Sequence, residues 1–253
     1  MTKLRALIFD VDGTLANTEQ DGHRIAFNRA FAEAGFDWDW SVSLYSELLA
    51  VAGGKERIRF YLNQYRPDFP PPANFDEFIA NLHRAKTHHY QQLIATGAIP
   101  LRPGVQRLIK AARSQGIRLA LATTTAPTNV TTLLQHTLGE ESPAWFNLIA
   151  AGDIVPAKKP APDIYNYVLR QMDLLPQDCL AIEDSDQGLI AATQAGITTM
   201  ITLNNYTKDQ DFAQAVLVLN HLGEPDQPFT VLAGDAGDSR YVDIKLLNNL
   251  HHR

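Results

Sequence analysis

Two aspartates separated by one residue stand near the head of the chain, in Phe9-Asp10-Val11-Asp12-Gly13-Thr14-Leu15. They follow the apolar run Ala6-Leu7-Ile8-Phe9, short and uncharged, which reads as a buried strand of a parallel sheet. Side chains alternate along an extended chain, so Asp10 and Asp12 are expected on one side of the strand's end, where open α/β sheets bind ligands. Neighbouring carboxylates repel and need a shared proton or a cation, and a hard, oxygen-seeking ion such as Mg²⁺ suits them. Gly13 permits the tight turn and Thr14 offers a capping hydroxyl. Taken alone, the pair also reads as an Asx-type turn after a strand.

In a parallel α/β sheet the carboxyl ends of all strands lie on one edge, which would bring Thr123, Lys158-Lys159-Pro160 and Glu183-Asp184 to the same crevice. Singly, Thr123 reads as a helix cap, Lys159 as a surface charge before a proline, and Glu183-Asp184 as an amino-terminal cap. Together they point to phosphoryl transfer. Asp10 is the candidate nucleophile, forming an aspartyl-phosphate. Asp12 would protonate the leaving sugar oxygen and then deprotonate the attacking water. Asp10, Asp184 and the backbone carbonyl of Asp12 would hold Mg²⁺, with Glu183 orienting the metal shell from behind. Thr123 would donate to a phosphoryl oxygen while Lys159 supplies positive charge.

The elements that must position these groups alternate. After the first strand, Ile25, Phe27, Ala30, Phe31 and Ala34 recur at helical spacing before Gly35, and further helices are expected around Ser43–Leu49, Glu56–Tyr65 and Phe75–Ile94, with no core strand among them. From Gly104 strands are expected at 117–122, 146–150, 179–182 and 198–203, with a further one at 216–219, separated by helices at 105–115, 129–137, 163–172 and 187–195. The fold class is therefore α/β: a doubly wound, Rossmann-like parallel-sheet core at 1–16 and 102–223, an inserted α-helical cap domain at 17–96, and a C-terminal extension at 224–253.

With 253 residues the chain can bury a substantial core, and 45% hydrophobic with 20% charged residues describe an ordinary globular protein. A net charge of −6 gives no reason to expect nucleic acid or a membrane as partner. The lone Cys179, within an apolar run, excludes an intrachain disulfide and reads as a core thiol. Met1-Thr2-Lys3-Leu4 carries no signal-peptide hydrophobic region, so the expected location is cytoplasmic, or the plastid stroma where a transit peptide has been removed. A monomer is expected.

Asp10-Val11-Asp12-Gly13-Thr14, Thr123, Lys159-Pro160-Ala161-Pro162-Asp163 and Glu183-Asp184-Ser185 resemble, in order, the four motifs of the haloacid dehalogenase-like phosphohydrolases. The likeness covers nearly all of residues 4–220 and implies a Mg²⁺-dependent phosphatase whose helical cap closes over the site and excludes water. More narrowly, Gly53-Gly54-Lys55-Glu56-Arg57-Ile58, His83-Arg84-Ala85-Lys86-Thr87, Ala122-Thr123-Thr124-Thr125 and Ala150-Ala151-Gly152-Asp153 resemble the CbbY-type sugar-phosphate phosphatases associated with the Calvin cycle. That likeness implies hydrolysis of a sugar bisphosphate, xylulose 1,5-bisphosphate above all. It also brings Gly54, Glu56, His83 and Thr124 into the candidate substrate site.

Independently, Lys55, Arg57, Arg84 and Lys86 gather cations in the expected cap of an acidic protein, as a second phosphate would require. Glu19 is a candidate acceptor for sugar hydroxyls. The segment Thr18–Arg24 runs one residue longer than the CbbY-type pattern, and Ala52 stands where a hydroxyl residue is expected. A β-phosphoglucomutase-like phosphomutase shares the motifs and the cap, and phosphoglycolate is a smaller alternative substrate that makes no use of the basic cap. A catalytically silent sugar-phosphate-binding protein would lack Asp10 or Asp12, and both are present.

Overall fold

A computed structural model describes residues 3–51 and 53–251. Ala52 lies outside the described residues. The chain divides into two compact units, Met1–Asn17 with Pro100–Arg253, and Thr18–Ile99.

In the first unit, the described residues form one seven-stranded sheet: β1 (Ala6–Phe9), β2 (Arg118–Thr123), β3 (Leu148–Ala151), β4 (Cys179–Glu183), β5 (Thr198–Thr202), β6 (Leu217–Leu219) and β7 (Val231–Gly234), in the spatial order β3-β2-β1-β4-β5-β6-β7. All neighbours are parallel except β6 and β7. β1 is buried throughout because both faces are covered. On one face Ala6, Ile8, Ala120, Ala122, Cys179 and Ala181 meet Tyr165, Val168 and Leu169 of a helix at Asp163–Met172 and Ala191 and Ala192 of a helix at Asp186–Gln194. The opposite face is covered by helices at Val105–Ser114 and Ile244–His251, which contact β2 and β4 respectively. A helix at Pro127–Leu138 follows β2 and packs on β3.

Register sets the edge of the sheet. Phe9 pairs with Leu121 on one side and Ile182 on the other, so Asp10, Thr123 and Glu183-Asp184 leave the sheet at the same level. The strand order also reverses beside β1, which is the switch point where doubly wound sheets open a crevice.

The C-terminal extension expected at 224–253 groups with the core unit. β7 adds an antiparallel strand, and Leu246, Leu247 and Leu250 are buried. Arg107 ties the tail down by donating to the carbonyls of Gly223 at 2.6 Å and Val242 at 2.8 Å and to Glu224 at 2.9 Å. β7 escapes sequence reading because all four of its residues are exposed and show no alternation.

The second unit is helical, with α-helices at Arg24–Glu33, Val42–Leu48, Gly54–Tyr65 and Phe75–Ala95. Ser41 and Asn74 cap the second and fourth through their side chains. A π-helical turn, Glu19–His23, precedes the first. A π turn takes up one residue more than an α turn, and this one falls within Thr18–Arg24, the segment expected to run one residue longer than the CbbY-type pattern. Phe27, Phe31, Trp40, Tyr45 and Tyr61 form the buried aromatic centre of this unit. No helix among the described residues is long and apolar enough to cross a membrane.

Candidate active site

The chain leaves β1 through a turn that Gly13 makes possible. Its φ of +88° favours glycine, and a Cβ there would stand 2.2 Å from Asp184 Oδ2 and 2.6 Å from Asn204 Nδ2. The turn is closed by Leu15 N donating to Val11 O at 2.9 Å and Gly13 N donating to Ala16 O at 2.8 Å. Asp10 and Asp12 then take different partners. Asp10 is buried, and its Oδ1 accepts from Lys159 Nζ at 2.7 Å. The Asp12 carboxylate accepts from the Thr125 hydroxyl.

Lys159 follows β3 and is buried, with all three ammonium protons placed: on Asp10, on Glu183 Oε1 at 2.6 Å and on the Ala122 carbonyl at 2.8 Å. Burial opposes its charge, but the Asp10 and Glu183 carboxylates outweigh that and hold the ammonium above the ordinary lysine range. Glu183, fully buried, also accepts from the Tyr165 hydroxyl, and its Oε2 takes the Asp184 N–H at 3.3 Å. The next helix reaches this carboxylate because Gly188 has no side chain: a Cβ there would lie 2.0 Å from Glu183 Oε2. Asp184 Oδ2 accepts from Asn204 at 2.7 Å, while its Oδ1 lies 3.5 Å from the Thr14 hydroxyl. Thr14 therefore serves Asp184 across the turn, where the sequence suggested a local cap.

Oxygens of Asp10, Glu183 and Asp184 lie within 4.8 Å of one another. Burial and the neighbouring Glu183, opposed by Arg102 and Lys159, push the Asp184 carboxyl up to about 7. Asp10 is also raised well above the ordinary range, by burial first and by Glu183, Asp184 and Asp12 against the pull of Lys159. A hard divalent cation fits such a donor set, since it removes the repulsion that protons otherwise relieve. Glu183 is committed to protein donors, which leaves Asp10 and Asp184 as the carboxylates open to such an ion, Asp184 Oδ1 carrying only the long contact to Thr14. Asp12, expected among the metal residues, has its carboxylate outside this group.

Thr123 ends β2 and is buried, its hydroxyl oxygen accepting the Thr125 N–H at 3.2 Å; Thr124 is half-buried beside it. Sequence reasoning missed Tyr165, Thr125, Arg102 and Asn204. Of these, Asn204 carried a usable signal, since it stands just beyond β5 as Asp10 stands beyond β1.

The substrate candidates of the helical unit separate by burial. Arg57 is buried, donating to Tyr45 Oη at 2.8 Å and Leu48 O at 3.2 Å, with Glu19 at 3.7 Å and the Tyr45 ring beneath its guanidinium. The Tyr45 hydroxyl in turn donates to Glu19. Lys86, also buried, lies 2.9 Å from His23 Nδ1 with its ammonium 5.0 Å from the Phe27 ring centre and 5.3 Å from that of Tyr90. Gly54 makes room for His83, whose Nε2 would stand 2.6 Å from a Cβ. Lys55, Glu56 and Arg84 are exposed, Arg84 pairing with Asn81 on its own helix.

Residues 4–196 match the family model described as "Hydrolase: haloacid dehalogenase-like hydrolase". The plasmid-borne CbbY protein of Cupriavidus necator is 46% identical over 249 residues, covering 98% of this chain and 97% of its own. The crystal structure of CbbY from Rhodobacter sphaeroides in complex with phosphate superimposes with a TM-score of 0.80 at 46% identity, over 86% of this chain and 94% of that one. A mutant of that protein in complex with xylulose-(1,5)bisphosphate gives a TM-score of 0.79 at 45% identity, with the same coverage. Four motifs in order on one sheet edge, a family match over most of the length and CbbY relatives at this identity place the chain among the haloacid dehalogenase-like hydrolases, in the CbbY group of phosphatases.

Proposed function

We propose that the protein hydrolyses a sugar bisphosphate, with xylulose 1,5-bisphosphate as its preferred substrate, through an aspartyl-phosphate on Asp10. The observation that carries this reading is the pairing of Asp10 Oδ1 with Lys159, which leaves the other oxygen, Oδ2, for attack on phosphorus. Oδ2 forms the bond to phosphorus as the bond from phosphorus to the sugar oxygen breaks. Asp12, oriented by the Thr125 hydroxyl, delivers the proton to that sugar oxygen, and then takes one from the water that cleaves the acyl phosphate. Thr123, its oxygen already occupied by the Thr125 N–H, turns its O–H to a phosphoryl oxygen. Lys159 contributes charge and holds Asp10 still, because all three of its protons are already placed.

Asp10, Asp184 and the Asp12 carbonyl would hold Mg²⁺, with Glu183 behind them. Bound there, it would neutralise charge developing on the phosphoryl group. The helical unit supplies the basic residues a second phosphate calls for, Lys55, Arg57, Arg84 and Lys86, with Glu19, Glu56, His83, Gly54 and the core's Thr124 in support. The likeness to a protein crystallised with xylulose-(1,5)bisphosphate supports the choice of sugar.

The test is Mg²⁺-dependent phosphate release from xylulose 1,5-bisphosphate, ribulose 1,5-bisphosphate, fructose 1,6-bisphosphate, β-glucose 1-phosphate and phosphoglycolate. The xylulose compound is expected to be preferred and the ribulose compound spared. Transfer within β-glucose 1-phosphate in place of release would make the protein a mutase. Absence of turnover on every member of the panel would make it a binding protein.

A further inference from the structure

Asp10 and Asp184 are anchored by different kinds of donor. Asp10 is held by an ammonium, whereas Asp184 is held by the neutral side-chain amide of Asn204. We infer that Asn204 positions Asp184 for the cation, an inference that rests on reading the buried carboxylates as a cation site.

The amide can face only one way. The Tyr206 N–H, which can only donate, reaches Asn204 Oδ1 at 2.9 Å, so the NH₂ end must point to Asp184 Oδ2. The backbone around it is equally fixed. Asn204 N donates to Thr207 Oγ1 at 3.0 Å, and Thr207 N returns a bond to Asn204 O at 3.2 Å. Just upstream, the buried Arg102 guanidinium donates to the carbonyls of Thr202 and Leu203, each at 2.7 Å, and to the carbonyl of Gly13. One side chain thereby ties the Asn204 loop to the turn that carries Asp10 and Asp12. Gly13 completes the arrangement, since its missing side chain is the space that the Asn204 amide and the Asp184 carboxylate fill.

With Oδ2 held by Asn204 at 2.7 Å and Oδ1 in only a 3.5 Å contact with the Thr14 hydroxyl, the Asp184 carboxylate is fixed in rotation and Oδ1 is presented as a ligand. An amide achieves this without cancelling charge. A lysine in its place would fix the carboxylate equally well but neutralise the ligand that a divalent ion needs. The chain thus uses an ammonium on the carboxylate proposed to attack phosphorus and an amide on the carboxylate proposed only to bind metal.

The experiment is calorimetric titration of the full chain with Mg²⁺ for the unsubstituted protein, Asn204→Ala and Thr207→Val, with melting temperature in EDTA as the control for folding. Asn204→Ala is expected to weaken Mg²⁺ binding about 10- to 100-fold. The Mg²⁺ concentration that half-saturates phosphate release should rise in parallel, while kcat at saturating Mg²⁺ is largely kept. Thr207→Val frees the Asn204 N–H and loosens the loop without touching Asp184, so a smaller weakening in the same direction is expected, and it decides the matter if Asn204→Ala fails to fold. An unchanged Mg²⁺ affinity in a folded variant, with only the melting temperature lowered, would show a structural role and overturn the inference. If the unsubstituted protein takes up no Mg²⁺, the cation-site reading itself falls and takes this inference with it.

Discussion

Each unit of the molecule buries a cluster of charge, and the two are of opposite sign. In the core, Asp10, Glu183 and Asp184 crowd around Lys159, three carboxylates to one ammonium. In the helical unit the buried charges are Arg57 and Lys86, set against aromatic rings, with the half-buried Glu19 as the nearby carboxylate. Burial disfavours charge of either sign, so both clusters persist only by what surrounds them. The core meets its excess with hydrogen bonds and raised carboxyl pKa values, which a cation would relieve. The helical unit meets its own with ring faces, a tyrosine hydroxyl and a histidine nitrogen, a setting in which an anion is welcome. On the function proposed above, the first cluster would take up a metal ion and the second a phosphate.

The largest effect should come from Asp10→Asn, which keeps the shape of the side chain but removes the nucleophile. Phosphate release is expected to fall about 10⁴-fold or more. Melting temperature in EDTA should hold or rise, because one of three repelling carboxylates has gone while Lys159 keeps Glu183. Retention of a tenth of the activity would end the assignment of Asp10 as nucleophile.

Lys159→Met and Arg57→Met compare the clusters directly. Removing Lys159 strips Asp10 and Glu183 of a shared partner in a fully buried setting, which should cost about 3–5 kcal/mol. Removing Arg57 leaves Glu19 half-exposed, where water can replace the lost contact, and should cost about 1–2 kcal/mol. Denaturant titration of the two variants side by side measures both. Equal losses would mean that the two clusters do not differ in how they depend on their cations.

The core alone should make stability depend on pH through raised carboxyls. Asp184 moves from 3.8 to about 7, so between those values the folded chain holds a proton that the unfolded chain has released. Stability of the metal-free protein must then fall as pH rises through that window, and Asp10 acts in the same direction. Mg²⁺ competes with those protons, so the gain in melting temperature on adding Mg²⁺ should be larger at pH 8 than at pH 5. A gain that shrinks with rising pH would show that the carboxylates are not what the ion binds.

How legible each region is in the sequence follows from where its partners lie. Asp10, Glu183 and Asp184 can be read because each stands at a strand end, with Lys159 in the loop that follows β3, and the parallel sheet, itself evident from short apolar runs, brings those ends together. Tyr165 cannot, because within its helix it is one more apolar residue facing the core, and only the fold reveals Glu183 above its hydroxyl. Arg102 is equally silent, since its acceptors are carbonyls 89 to 118 positions away, and carbonyls leave no mark on a sequence. In the helical unit, spacing shows that Arg57 and Lys86 lie on helices but not that both turn inward, because a long basic side chain with an apolar stem fits a buried or an exposed face.

The smallest effects belong to the exposed cations of the helical unit. Lys55→Ala and Arg84→Ala remove charges that water already solvates, so each should raise KM for a bisphosphate only about two- to fivefold. The comparison that matters is with a monophosphate of the same sugar, whose single phosphate is assigned to Asp10, Thr123 and Lys159. KM for the monophosphate should not move, because neither exposed residue has a second phosphate to meet. Equal rises on both substrates would point to a general field of positive charge, falling away with salt, instead of a second phosphate site. In that case Arg57 and Lys86 would be left as cations that hold the helical unit together, and the functional contrast between the two buried clusters would reduce to the carboxylates of the core.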